Sequence, residues 1–157
     1  MNTSLIHDVS EFLFYEADLL DTCKYDEWLD LFDIDAIYWI PSSSEQTDMK
    51  GQVSIILEDM PLLKLRVQRL GHPRAYSVTP PPASTRLVGN VRVKKIENSI
   101  ISNSKLFFTE IRDDVETHYS GSMTHHLKVV EDGFRIKLKR IDLAQAGGIF
   151  SIISAPL

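Results

Sequence analysis

Histidines and the lone cysteine are the residues whose chemistry can be tested first. A mixed Cys/His iron–sulfur centre needs two cysteines and two histidines, and this chain has one cysteine, Cys23. A mononuclear iron site needs two histidines and a carboxylate converging from one face. His125 and His126 are adjacent, so on a strand they point to opposite faces and cannot share a metal. His118 and His126 share parity only if no turn separates them, and Gly121 between them is expected to make one. His118 also lies in a polar row with Arg112, Asp114 and Glu116. These histidines therefore read as solvated or interface groups, and no metal, cofactor-binding or catalytic residue is expected in this chain. Cys23, beside Lys24 at a helix end, has no candidate base near it and reads as inert.

Composition bounds the rest. A chain of 157 residues with 43% hydrophobic and 25% charged side chains is expected to form a single domain over residues 1–157. Its apolar runs are too short to span a bilayer, and the opening "MNTSLIHDVSEF" lacks the pattern of a signal peptide. A cytoplasmic location away from membranes is the expectation. The net charge of −5 hides a split. Residues 1–60 carry 14 acidic and 2 basic side chains, the remainder 8 and 15. The basic residues are interleaved along strands and form no long cluster, so nucleic acid is not an expected partner. The split reads as two complementary halves of one fold, or as unlike surfaces offered to other subunits.

The elements that position these residues follow from periodicity. "DVSEFLFYEADLLDT" has a capping-box pattern at Asp8 and Glu11 and apolar residues at helical spacing. "YDEWLDLF" predicts a short helix with Trp28 on its apolar face. "DAIYWI" and "VSIIL" predict strands, and "DMPLLKLRVQRL" a helix capped by Asp59 and ended by Gly71 and Pro73. Trp28 and Trp39 are expected in the core. Everything beyond residue 85 predicts sheet. In "RLVGNVRV", Leu87, Gly89, Val91 and Val93 alternate with polar residues, and "KLFFTEIRDDVETHY" reads as one alternating stretch. A turn is expected at Glu131-Asp132-Gly133 and a β-bulge at Lys139-Arg140, where the apolar parity changes. Helices first and antiparallel strands afterwards predict an α+β fold, with N-terminal helices packed on a curved, largely antiparallel sheet.

"RAYSVTPPPAST", residues 74–85, interrupts this pattern with three consecutive prolines. Proline stiffens a segment, and Arg74 and Arg86 flank it; arginine suits interfaces because its planar fork binds carboxylates. Arg74, Tyr76 and Arg86 are accordingly expected at a subunit interface.

The order of pieces is similar to a known family. "FLFYEADLLDTCKYDEWLDLF" followed by "DIDAIYWIP" resembles the start of the small (β) subunit of Rieske-type aromatic-ring-hydroxylating dioxygenases. Asp26, Glu27, Trp28, Asp35, Tyr38, Trp39 and Pro41 carry the match, which continues through the proline stretch, "STRLVGNV" and "DGFRIKLKRIDL". Tyr76, where many members have Trp, and "RLVGN", where many have a His after the Arg, depart from it. The resemblance implies a cone-shaped fold related to ketosteroid isomerase and scytalone dehydratase. It also implies a catalytic α subunit, holding a Rieske [2Fe–2S] cluster and a mononuclear Fe(II), that inserts oxygen from O₂ into an aromatic compound. The β subunit is then structural, in an α3β3 hetero-hexamer served by a reductase, with or without a ferredoxin. The same fold class offers two alternatives. One is a stand-alone isomerase, dehydratase or cyclase drawing on Tyr15, Asp18, Asp35, Tyr38 and His118 for acid–base chemistry. The other is a non-catalytic ligand-binding module.

Overall fold

The computed structural model describes residues 2–70, 83–145 and 156–157. Helix α1 spans Thr3–Asp21 and begins earlier than the Asp8 pattern predicts. Asn2 is the N-cap; its side-chain oxygen accepts from the Leu5 N–H at 3.4 Å. The helix ends in a Schellman turn, with Cys23 N–H bonded to Leu20 O and Lys24 N–H to Leu19 O. Cys23 sits there at φ 57°, a left-handed conformation that normally selects glycine. Helix α2 spans Tyr25–Leu29, and α3 spans Met60–Leu70. Asp59 caps α3 as expected, accepting from the Leu62 N–H at 3.2 Å, with Pro61 in the first turn. The expected stop at Gly71 and Pro73 lies outside the described residues.

Six strands make one sheet in the order β2-β1-β6-β5-β4-β3. They are β1 Phe32–Pro41, β2 Ser54–Asp59, β3 Ala83–Ile96, β4 Ser99–Arg112, β5 Val115–Val130 and β6 Gly133–Leu143. All neighbours are antiparallel except β1 and β6, which run parallel. The helices cover one face, and the core between them includes Val9, Leu13, Leu20, Trp28, Tyr38 and Leu127. The α+β class and the helix-on-sheet arrangement are as the sequence predicts.

Four local expectations are corrected. "KLFFTEIRDDVETHY" is not one strand: Arg112 pairs with Val115 across a turn at Asp113–Asp114, both at positive φ. Aspartate tolerates that conformation, so the hairpin forms without the glycine that would have announced it. Consequently Phe107 faces outward and Tyr119 inward. Gly121 makes no turn; it lies inside β5, paired with Leu106 and Leu143. A Cβ there would fall 2.3 Å from the Asp142 carbonyl, so the glycine permits close strand approach. The β6 bulge is at Lys137, because His126 opposes Leu138 while Leu127 opposes Ile136. Its placement turns Lys139, not Leu138, into the core. In β3 a second bulge at Asn90–Val91 changes parity, leaving Leu87 69% exposed on the outer face while Arg86 points in. The turn at Glu131–Asp132, ahead of Gly133 at φ 143°, is where it was expected.

Candidate functional site in the polar interior of the cone

Glu16 occupies the apolar side of α1, three residues from Leu13 and Leu19 and four from Leu20, so the helix carries its carboxylate into the core. Three groups from three other elements close on it. Trp28 of α2 donates its indole N–H to Oε2 at 2.9 Å. His125 of β5 donates through Nε2 to Oε1 at 2.9 Å, and Lys139 of β6 donates to Oε2 at 3.0 Å. The Lys139 ammonium also lies 5.6 Å from the centre of the Trp28 ring, within range of its π face. Trp28 is fixed in turn by edge contacts with Phe32 and Tyr38 at 5.0 and 6.0 Å.

Burial alone would raise the Glu16 pKa. The Lys139 charge, the His125 charge, and hydrogen bonds from His125 and Trp28 outweigh burial and hold the carboxyl well below its ordinary value. Burial pulls the Lys139 ammonium downward while Glu16 resists. The cluster is therefore an ion pair supported by two further donors, all inside the sheet–helix interface. His125 Nδ1 and the hydroxyls of Ser102 and Ser104 have no protein partner among the described residues.

Pro156 and Leu157 reach the same interior. The Leu157 side chain is 1% exposed and its N–H donates to the Tyr38 hydroxyl at 3.0 Å. Burial is the main cause that pushes the Tyr38 hydroxyl up to about 12. Arg86 reaches the Pro156 carbonyl through Nη2, pairs with Asp21 through Nη1 and stacks 4.5 Å above the Phe108 ring. Its backbone N–H also donates to Asp21 Oδ2 at 2.9 Å. The space left among Leu13, Glu16, Leu20, Arg86, Lys139 and Leu157 is about 10 Å³. Among the described residues, that space is the scale of a single water molecule, too small for an aromatic or steroid-sized substrate.

The residues considered for acid–base work do not meet. Tyr15, Asp18, Asp35 and His118 are exposed, and only Tyr38 faces the interior. Asp35 pairs with Lys137 on the surface, and His118 bonds to Glu116 at 3.1 Å and Thr109 at 3.0 Å. His118 and His126 do share parity on the continuous β5. Eight residues of strand nevertheless separate them by roughly 26 Å. Neither an iron–sulfur cluster nor a mononuclear iron fits these residues: there is one thiol, and His125 is bound to Glu16 in the core while the adjacent His126 lies on the opposite face of β5. Among the described residues no group of three His, Cys, Asp or Glu side chains could hold a metal ion. No described helix is long and apolar enough to cross a membrane.

Arg74 and Tyr76 lie outside the described residues. Arg86 is described, and its guanidinium, 2% exposed, is engaged within the chain. Trp28 and Trp39 are core residues as expected, Trp39 donating to Ser54 Oγ at 2.9 Å beneath the Arg140 guanidinium. The interior cluster itself was missed from sequence. Glu16 carried a usable signal, an acid on the apolar stripe of a helix; Lys139 carried none until the bulge was placed.

Comparison with known proteins agrees with this architecture. A family model for the ring-hydroxylating beta subunit matches residues 15–147. The chain is 33% identical over 142 residues to the 2-halobenzoate 1,2-dioxygenase small subunit of Burkholderia cepacia, covering 87% of this chain and 86% of that one. It is 34% identical over 143 residues to the anthranilate 1,2-dioxygenase small subunit of Acinetobacter baylyi, covering 87% and 88%. Among solved structures, the beta subunit of benzoate 1,2-dioxygenase from Burkholderia mallei superposes with a TM-score of 0.79 at 22% identity, over 96% of both chains. A naphthalene 1,2-dioxygenase chain superposes at 0.85 with 18% identity, over 100% of this chain and 88% of that one. With its order of elements and these matches, the chain belongs to the ring-hydroxylating beta-subunit family.

Proposed function

We propose that this chain is the structural, non-catalytic small subunit of a cytoplasmic oxygenase that hydroxylates a benzoate-type aromatic acid. The observation that carries the non-catalytic part is the closed interior. Glu16 is engaged by both His125 and Lys139, and the space beside it among the described residues, about 10 Å³, admits no substrate. The substrate class rests on the halobenzoate and anthranilate oxygenases to which the two similar small subunits belong. The Rieske cluster and mononuclear iron would be held by a larger partner subunit, three copies of each chain forming the hexamer, with electrons delivered by a reductase. Docking on a neighbour through Arg74 and Tyr76 forms part of this proposal, while Arg86 is held within the chain by Asp21 and Pro156.

The test is reconstitution. Co-expression with the large subunit of the same oxygenase should give a co-purifying complex that consumes O₂ in the presence of a benzoate. The isolated chain should bind no stoichiometric iron and turn over nothing. Failure to co-purify, or isomerase or dehydratase turnover by the chain alone, overturns the proposal.

A further inference from the structure

Two surfaces of opposite chemistry flank one end of the sheet. On one flank runs the edge strand β3, whose last residues include exposed Arg92, Lys94, Lys95 and Ile96. None of these cations has an ion-pair partner among the described residues. On the other flank, where α1, α2 and β6 meet, lies a groove of about 450 Å³. Phe12, Tyr15 and Phe134 form its apolar wall, and Glu27, Asp30 and Asp132 supply carboxylates. Phe12 and Phe134 pack edge to face at 5.7 Å, and Tyr15 is 49% exposed. Arg135 also lines the groove, but its guanidinium is turned onto the Asp30 carbonyl, leaving the three carboxylates without an ion pair among the described residues.

Strand register places both surfaces at the same end. Ile96 pairs with Ser99 and Ser99 with Lys128, so the Glu97–Asn98 turn lies beside Val129. Val130 pairs with Gly133, which puts Asp132 in the adjoining turn. Edge cations alone have a plain explanation, since they discourage unwanted strand pairing. That explanation leaves the acidic aromatic groove unaccounted for. Lysine and arginine are favoured over aromatic faces and opposite carboxylates, and this chain carries both halves of such a contact.

We infer that the Arg92–Ile96 segment of one copy seats in the Phe12–Tyr15–Phe134 groove of the next copy, its cations against Glu27, Asp30 and Asp132. The two surfaces are different, so the contact is head-to-tail, and a closed assembly of copies repeats it around a rotation axis. The inference rests on the proposal that the chain assembles with copies of itself, and it assigns the surfaces through which it does so.

Charge reversal separates the two levels. One variant combines Arg92→Glu, Lys94→Glu and Lys95→Glu; a second combines Glu27→Lys, Asp30→Lys and Asp132→Lys; a third carries all six changes. Circular dichroism and thermal melting verify that each is folded, and native mass spectrometry and sedimentation read assembly. The wild-type chain should form rings. Each triple variant should be monomeric, its self-association weakened at least about 100-fold. An equimolar mixture of the two should associate again with unlike copies alternating, since contacts between unlike copies are matched in both directions and contacts between like copies are not, and the six-fold variant should form rings again. Wild-type rings unaffected by either triple change would overturn this inference alone, as would a folded six-fold variant that stays monomeric. A wild-type chain that is monomeric by itself would overturn the self-association beneath it and leave both surfaces to the large subunit.

Discussion

The Lys139 ammonium lies 3.0 Å from Glu16 Oε2, with the two side chains only 2% and 3% exposed. A buried pair of this kind contributes little net stability when intact, because both ions have left water. Breaking it is another matter. Glu16→Gln leaves the Lys139 charge buried without its counter-ion and is expected to destabilise the chain by about 3–5 kcal/mol. Adding Lys139→Met should recover part of that loss. Urea unfolding of both single variants and the double variant measures the coupling; additive losses would show that the pair does not act as one.

Acid should unfold the chain through the same group. Glu16 has a folded-state pKa held below its ordinary value, so its contribution is fully present above the unfolded value of about 4.3. The contribution is lost as pH falls through the folded-state value. Stability should therefore decline below about pH 4, and the slope should be shallower in Glu16→Gln. Equilibrium unfolding at a series of acid pH values tests this, and equal slopes in both proteins would remove Glu16 from the explanation.

Arg86 joins β3 to the end of α1 and to Pro156. Arg86→Ala should cost the isolated chain about 2–4 kcal/mol, since Asp21 loses its cation and the Pro156 carbonyl its donor. A residue acting only at a contact with another subunit would leave the isolated chain's unfolding curve unchanged.

Cys23 terminates α1 at φ 57°. Glycine adopts that conformation without the Cβ clash, so Cys23→Gly should raise stability by about 1 kcal/mol. The thiol's contact with the Tyr25 hydroxyl at 3.6 Å is too weak to reverse the sign. A lowered melting temperature would contradict this account of the turn.

Gly121→Ala should act in the opposite direction. The added methyl would meet the Asp142 carbonyl, a backbone atom held in the β5–β6 pairing, so the strands must part. A loss of about 1–3 kcal/mol is expected by thermal or urea unfolding. Unchanged stability would mean the two strands can separate at no expense.

Much of the fold was legible because its signals are local. The apolar spacing of α1, the Asp59 cap and the Asp132-Gly133 turn are each decided by a few neighbouring residues. Local signals failed where a turn used unexpected residues. Asp113–Asp114 reverses the chain with no glycine, and Gly121 looked like a turn while serving a close strand contact.

The sequence by itself determined the α+β class, the helix-then-strand order and the family, since periodicity, caps and the "YDEW" and "DAIYWIP" stretches are written in consecutive residues. Only the tertiary structure decided which polar side chains are interior. Glu16 meets His125 and Lys139 across 109 and 123 positions of chain, and Lys139 faces inward only because a bulge at Lys137 resets the parity of β6. Burial of a charge depends on the partner that compensates it, and at such separations that partner is chosen by strand register and helix packing, which no local stretch of residues specifies.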